Sequence, residues 1–147
     1  MYAERGNQIL LLKRAAQSPM AGSWFLPGGA VEPREPPEMA AIRELREESG
    51  LEVAEEPEPI GCYYSWEYGH DFLHLSFRAR VREGEVVVNE DHDAATWVDP
   101  RDMRRAMSDE TIAGMAKGDA RTEQLLRGIR DDLDKYLRRT HEARDRL

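Results

Sequence analysis

Glu44, Glu47 and Glu48 stand at spacings i, i+3 and i+4. On a helix with about 3.6 residues per turn they leave one face in adjacent turns, while Ile42 and Leu45 point elsewhere. Three carboxylates this close repel one another, so as a bare surface the arrangement is unfavourable. A divalent cation resolves the repulsion. Hard oxygen donors suit Mg2+ or Mn2+, which keep positions open for water and phosphate oxygens. Spacing alone leaves a second reading open, because clustered glutamates also form ordinary solvated helix faces. The charge distribution frames the choice: residues 31–60 carry a net −7 in a chain whose total is −8.

Several elements must position this trio. From Pro37 to Ser49 the pattern is helical, with Met39, Ile42 and Leu45 a turn apart on one side. Gly50 fits the left-handed residue that ends a helix, and Pro37 fits the first helical position. The cap position before it falls near Pro36, which has no side-chain oxygen to offer. Pro27-Gly28-Gly29 is a hard break upstream, where bare backbone can approach a ligand closely. Residues 8–14 read as a buried strand after the turn Arg5-Gly6-Asn7. An antiparallel partner upstream of that turn would be mostly missing from this chain. Leu73, Leu75, Phe77, Ala79 and Val81 alternate with His74, Ser76, Arg78 and Arg80, the pattern of a half-buried strand with His74 on its open face. Residues 85–88 and 96–98 read as two further short strands. Asp99, Ser108 and Asp119 are helix-cap candidates. After Asp119 a long amphipathic helix presents Leu125, Leu126, Ile129, Leu133, Tyr136 and Leu137 on one stripe.

Read through, residues 29–51 run GAVEPREPPEMAAIRELREESGL. This resembles the Nudix box of the MutT-like hydrolases, whose specified positions are met by Gly29, Glu35, Arg43, Glu44, Leu45, Glu47, Glu48, Gly50 and Leu51. Nine fixed offsets make a specific signal. The resemblance extends outwards through Leu10–Arg14, Trp24–Gly29 and Trp97-Val98, covering about residues 5–105. It implies an α+β class, the Nudix fold, in which an α/β/α sandwich encloses a mixed central sheet. It also implies metal-dependent cleavage of a phosphoanhydride bond in a nucleoside triphosphate or a related nucleoside diphosphate compound. The alternatives are a dinucleoside polyphosphate or nucleotide-sugar hydrolase, and a silent nucleotide-binding module of the same fold.

Roles follow from the resemblance residue by residue. Glu44, Glu47 and Glu48 are expected to hold Mg2+ (or Mn2+), with the Gly28 carbonyl as an added ligand. Gly29, Glu35, Arg43 and Gly50 take structural roles, Arg43 and Glu35 as the pair fixing loop to helix. Glu90, in an acidic loop with Asp91 and Asp93, is the candidate base alongside the trio. Arg14 and Tyr68 are candidate substrate contacts. The rival readings are a solvated loop for Glu90, a strand-end charge for Arg14 and packing for the aromatics Tyr63, Tyr64, Trp66 and Tyr68. His92 is expected in the acidic loop and, like His74, reads as an ordinary polar residue.

The expected organisation is a hydrolase domain over residues 1–107, its first strand shortened. A C-terminal helical extension over 108–147 then packs on that domain or on a second copy, as a homodimer would. An acidic chain lacks the basic footprint of duplex DNA binding, and no apolar run approaches the ~20 residues of a membrane span. A lone Cys62 excludes an internal disulfide. With no secretory leader pattern, a reducing cytoplasm is the expected location.

Overall fold

The computed structural model describes residues 1–18, 20–67 and 69–144. Its strands are β1 (Tyr2–Arg5), β2 (Gln8–Arg14), β3 (Trp24–Phe25), β4 (Glu58–Glu67), β5 (His70–Arg80) and β6 (His92–Val98). Its helices are α1 (Pro37–Ser49), α2 (Pro100–Ala106), α3 (Asp109–Ala116) and α4 (Ala120–Arg144). Among the described residues no helix is long and apolar enough to cross a membrane. By contact the chain forms two compact units, Met1–Pro59 with Phe77–Asp99 and Ile60–Ser76 with Pro100–Leu147.

The first unit is built on β2, whose run Ile9-Leu10-Leu11-Leu12 is buried throughout. It pairs antiparallel with β1, β3 and β6. β1 also pairs in parallel with the end of β5, Tyr2 against Arg78 and Glu4 against Arg80, so the sheet is mixed as expected. The upstream partner strand is therefore present, four residues long. Gly6 and Asn7 close the β1–β2 hairpin, and Gly6 at φ 60 supplies the left-handed first position of a type II′ turn. Leu10, Leu12, Leu45, Leu51, Ala79 and Val81 form the core. Burying one such leucine contributes about 1.5–3 kcal/mol.

Helix α1 has the expected limits. Pro37 opens it without a side-chain cap, Glu38 sits in its first turn and Arg46 in its last, both favourable to the helix dipole. Gly50 ends it at φ 69, its amide donating to the Arg46 carbonyl. Leu45 is fully buried and fixes which face turns inward, while Met39 stays half exposed. Residues 85–88 form no strand. Val86 and Val88 pack singly on the core, and the Val87 amide donates to the Ser49 carbonyl instead of to a ladder.

In the second unit β4 and the start of β5 make a hairpin beside α2, α3 and α4. Ser108 caps α3 by accepting from the Thr111 amide, and Asp119 accepts from the Arg121 and Thr122 amides at the start of α4, as their residue types suggested. Both α2 and the hairpin bond to α4. Arg104 donates to Asp134, and Ser76 donates 2.7 Å to the buried Asp132. The first half of β5 also reverses the expected faces, while Ala79 and Val81 are buried as expected. Leu73 and Leu75 are exposed, Ser76 is buried and His74 half-buried, because Asp132, Ser65 and Glu67 give the polar side its partners.

Candidate active site

The break at Gly28-Gly29 and the middle of α1 meet at the trio. The Gly28 amide donates 2.9 Å to Glu48 Oε2. Gly29 is there for space: a Cβ on it would overlap the Glu44 carboxylate. The turn structure of α1 thus delivers two of the three carboxylates to two successive glycines.

Arg43 organises the rest. Its Nε and Nη2 donate to the two oxygens of Glu35 at 2.8 and 3.0 Å, and Nη2 also reaches the Ala30 carbonyl. That bidentate pair links the loop residue Glu35 to α1. The guanidinium holds the Glu35 carboxyl well below its ordinary range, at about 2. The same Arg43 turns Nη1 towards Glu44 Oε1 at 2.7 Å and Glu47 Oε2 at 3.3 Å. Glu47 is half exposed, whereas Glu44 and Glu48 are largely enclosed. Burial, with Glu44 nearby, pushes the Glu48 carboxyl up to about 7, against the opposing pull of the Gly28 amide and Arg14.

The donor chemistry fits a hard divalent cation, being carboxylate oxygens on one helix face beside a glycine loop. Among the described residues no three acidic, His or Cys side chains already converge at ligand distance. The Arg43 guanidinium stands against Glu44 and Glu47 and offsets their charge.

Arg14, at the end of β2, acts electrostatically on both Glu48 and His92, so the structure brings it to this site. A bulge between Lys13 and Arg14 turns the chain there. Glu90 is exposed, and among the described residues its side chain shares no hydrogen bond or ion pair with the trio. Its carbonyl accepts from Gln17. Tyr68 lies outside the described residues.

The residue that sequence reasoning missed is His92. It is not in an open loop but is the first residue of β6, 6% exposed, with Nε2 3.7 Å from Glu48 Oε1. Burial, then Arg14, holds its pKa below the ordinary value. The sequence carried no signal for this, because the strand reading began only at Thr96 while β6 begins at His92.

The chain is 37% identical over 103 residues to the CTP pyrophosphohydrolase of Escherichia coli strain K12, covering 67% of this chain and 72% of that protein. The crystal structure of a MutT NUDIX hydrolase from Burkholderia pseudomallei matches with TM-score 0.60 and 33% identity, over 68% of this chain and 79% of that one. A MutT protein from Methanosarcina mazei Go1 matches 90% of this chain and 85% of its own with TM-score 0.65 and 26% identity. The profile of the NUDIX domain fits residues 1–117, and with these hydrolase relatives the chain belongs to the NUDIX domain family.

Proposed function

We propose that the chain is a Mg2+- or Mn2+-dependent pyrophosphohydrolase. Its substrate is a nucleoside triphosphate or a related nucleoside diphosphate compound, cleaved by attack of water at phosphorus. The observation that carries this reading is the placement of Glu44 and Glu48 against Gly29 and Gly28. The E. coli relative that hydrolyses CTP supports the triphosphate class.

Glu44, Glu47 and Glu48 would hold the ion, with the Gly28 carbonyl beside them. Bound there, Mg2+ or Mn2+ would stabilise charge on the phosphate oxygens as a Lewis acid. Arg14 contacts a phosphate from the end of β2, where its charge already reaches Glu48. Glu90 takes the proton from water. In its support, the turn that carries Glu90 ends at His92, which stands against Glu48. Arg43 and Glu35 keep the glycine loop in register with α1 and touch no substrate. Cleavage of a triphosphate between its α and β phosphorus atoms releases a nucleoside monophosphate and pyrophosphate.

The test is a nucleotide panel with and without Mg2+, read by chromatography of the products. Glu48→Gln should keep the fold and lose roughly 10²–10³-fold in kcat, the scale of a lost electrostatic stabiliser. Equal turnover by the variant removes the assigned role.

A further inference from the structure

Asn89 and His92 form a small device at the start of β6 that the proposed chemistry has not used. The Asp91 amide donates to Asn89 Oδ1 at 3.2 Å, which identifies that atom as the acceptor oxygen of the amide. His92 Nδ1 faces the same oxygen at 2.8 Å and so must carry the hydrogen it donates. This bond fixes the ring orientation and turns Nε2 towards Glu48 Oε1, 3.7 Å away. At that distance the contact is not a hydrogen bond; it is a wall. The other carboxylate oxygen is held by the Gly28 amide at 2.9 Å. Both side chains are almost sealed from solvent, His92 at 3% and Glu48 at 9% exposure.

We propose that His92 is a positioning residue for Glu48: oriented by Asn89, its ring stands against Oε1 and keeps the carboxylate where Oε2 meets the Gly28 amide. The inference rests on the reading above for its consequence in catalysis, though the contact itself does not. A carboxylate with one oxygen bonded and a ring beside the other has little room to rotate, so its orientation is narrowed before any ion arrives. Residues that orient metal-binding side chains typically carry about 10–100-fold in metal affinity or activity. The same contact joins the turn at residues 89–92 to α1, and with it the backbone of Glu90.

The test combines three readings on His92→Ala, His92→Gln and Asn89→Ala. Mn2+ titration followed by electron paramagnetic resonance, without nucleotide, should show about tenfold weaker binding in His92→Ala. With the nucleotide that the wild type cleaves fastest, kcat should fall about tenfold or more while KM stays within about twofold. His92→Gln places an amide near the Nε2 position and should recover both to within about threefold. Asn89→Ala should move both in the same direction by less, and the double variant should be no worse than His92→Ala alone. In metal-free protein, the 13Cδ resonance of Glu48 should shift or broaden in His92→Ala and return in His92→Gln. Unchanged resonance, metal affinity and kcat in His92→Ala overturn the proposal, as does a folded His92→Gln that behaves like the alanine variant. If His92→Ala fails to fold, the Asn89→Ala resonance decides in its place. A wild type that binds no Mn2+ and cleaves no nucleotide overturns the proposed function instead, and the Glu48 resonance still decides the positioning.

Discussion

In the first compact unit Leu10, Leu12 and Leu45 are fully buried, and the charged groups Glu35, Arg43 and Glu47 stand towards the rim. In the hairpin of the second unit the order is turned over. Ser65 and Ser76 are buried, His74 is stacked 4.4 Å from Tyr63, and Leu73 and Leu75 face outwards. Asp132 of α4, 2% exposed, accepts from Ser76 at 2.7 Å, with the Gly61 carbonyl at 3.3 Å as a second acceptor. Both units bury apolar side chains, Leu10, Leu12 and Leu45 in one and Ile112, Leu126 and Leu133 in the other. The hairpin face of the second adds buried hydrogen bonds, so that face is specified by geometry more than by hydrophobicity. The lesson is that apolar alternation locates a strand but does not say which face a neighbouring helix will take.

The comparison can be broken at each interior. Leu45→Ala should be the most damaging change, costing about 2–5 kcal/mol through lost burial and the cavity left behind. Urea denaturation followed by circular dichroism would measure it, and a loss under 1 kcal/mol would show that the first unit does not depend on this core. Asp132→Ala should come next, at about 1–3 kcal/mol, because the Ser76 hydroxyl loses its 2.7 Å carboxylate acceptor and keeps only the Gly61 carbonyl at 3.3 Å. A neutral result would mean that the Gly61 carbonyl or water replaces the carboxylate at no cost, and the hairpin face would not depend on Asp132.

Much of the first unit was legible in the sequence because its determinants are local. Pro37, Gly50 and the spacing of Glu44, Glu47 and Glu48 define α1 and the face it offers, and Glu35 reaches Arg43 within eight residues. Gly28 and Gly29 were legible as a close approach, though the sequence did not say that each would meet a particular carboxylate. The rest depended on partners far along the chain. His92 meets Glu48 across 44 positions, and Ser76 meets Asp132 across 56. Alternation in β5 suggested the wrong inner face for its first half, since a helix-borne aspartate makes serine the better buried residue. Val86-Val87-Val88 has strand-forming residues but, among the described residues, no strand pairs with it, and propensity without a ladder leaves the chain irregular.

A smaller effect separates rim from interior by pH. Glu35 titrates at about 2 instead of the ordinary 4.5, chiefly through its hydrogen bond from Arg43. A carboxylate whose folded pKa is depressed contributes stability that is full above the unfolded value and lost as pH falls through the folded one. The stability gap between wild type and Glu35→Gln should therefore be constant from pH 7 to pH 5 and close between about pH 4.5 and 2. Thermal melts across that range would show it. A gap that closes above pH 5 would mean that the Arg43 pair is not formed in solution.

The smallest effect belongs to the outer face of the hairpin. Leu73 is 66% exposed on a strand, so replacing it by threonine removes little buried area. Threonine is β-branched and suits a strand, which offsets part of what is lost. Leu73→Thr should therefore change stability by no more than about 0.5 kcal/mol, the range of ordinary surface substitutions. Leu45→Ala in the other unit, also a leucine truncation, should cost several times more, and the ratio between the two is the comparison in its sharpest form. The measurement is a pair of urea midpoints at two protein concentrations tenfold apart. A loss above 1 kcal/mol at Leu73 that grows with protein concentration would mean that this face is covered by a second copy in solution. The reversed hairpin would then hide its apolar side after all, by association instead of by folding.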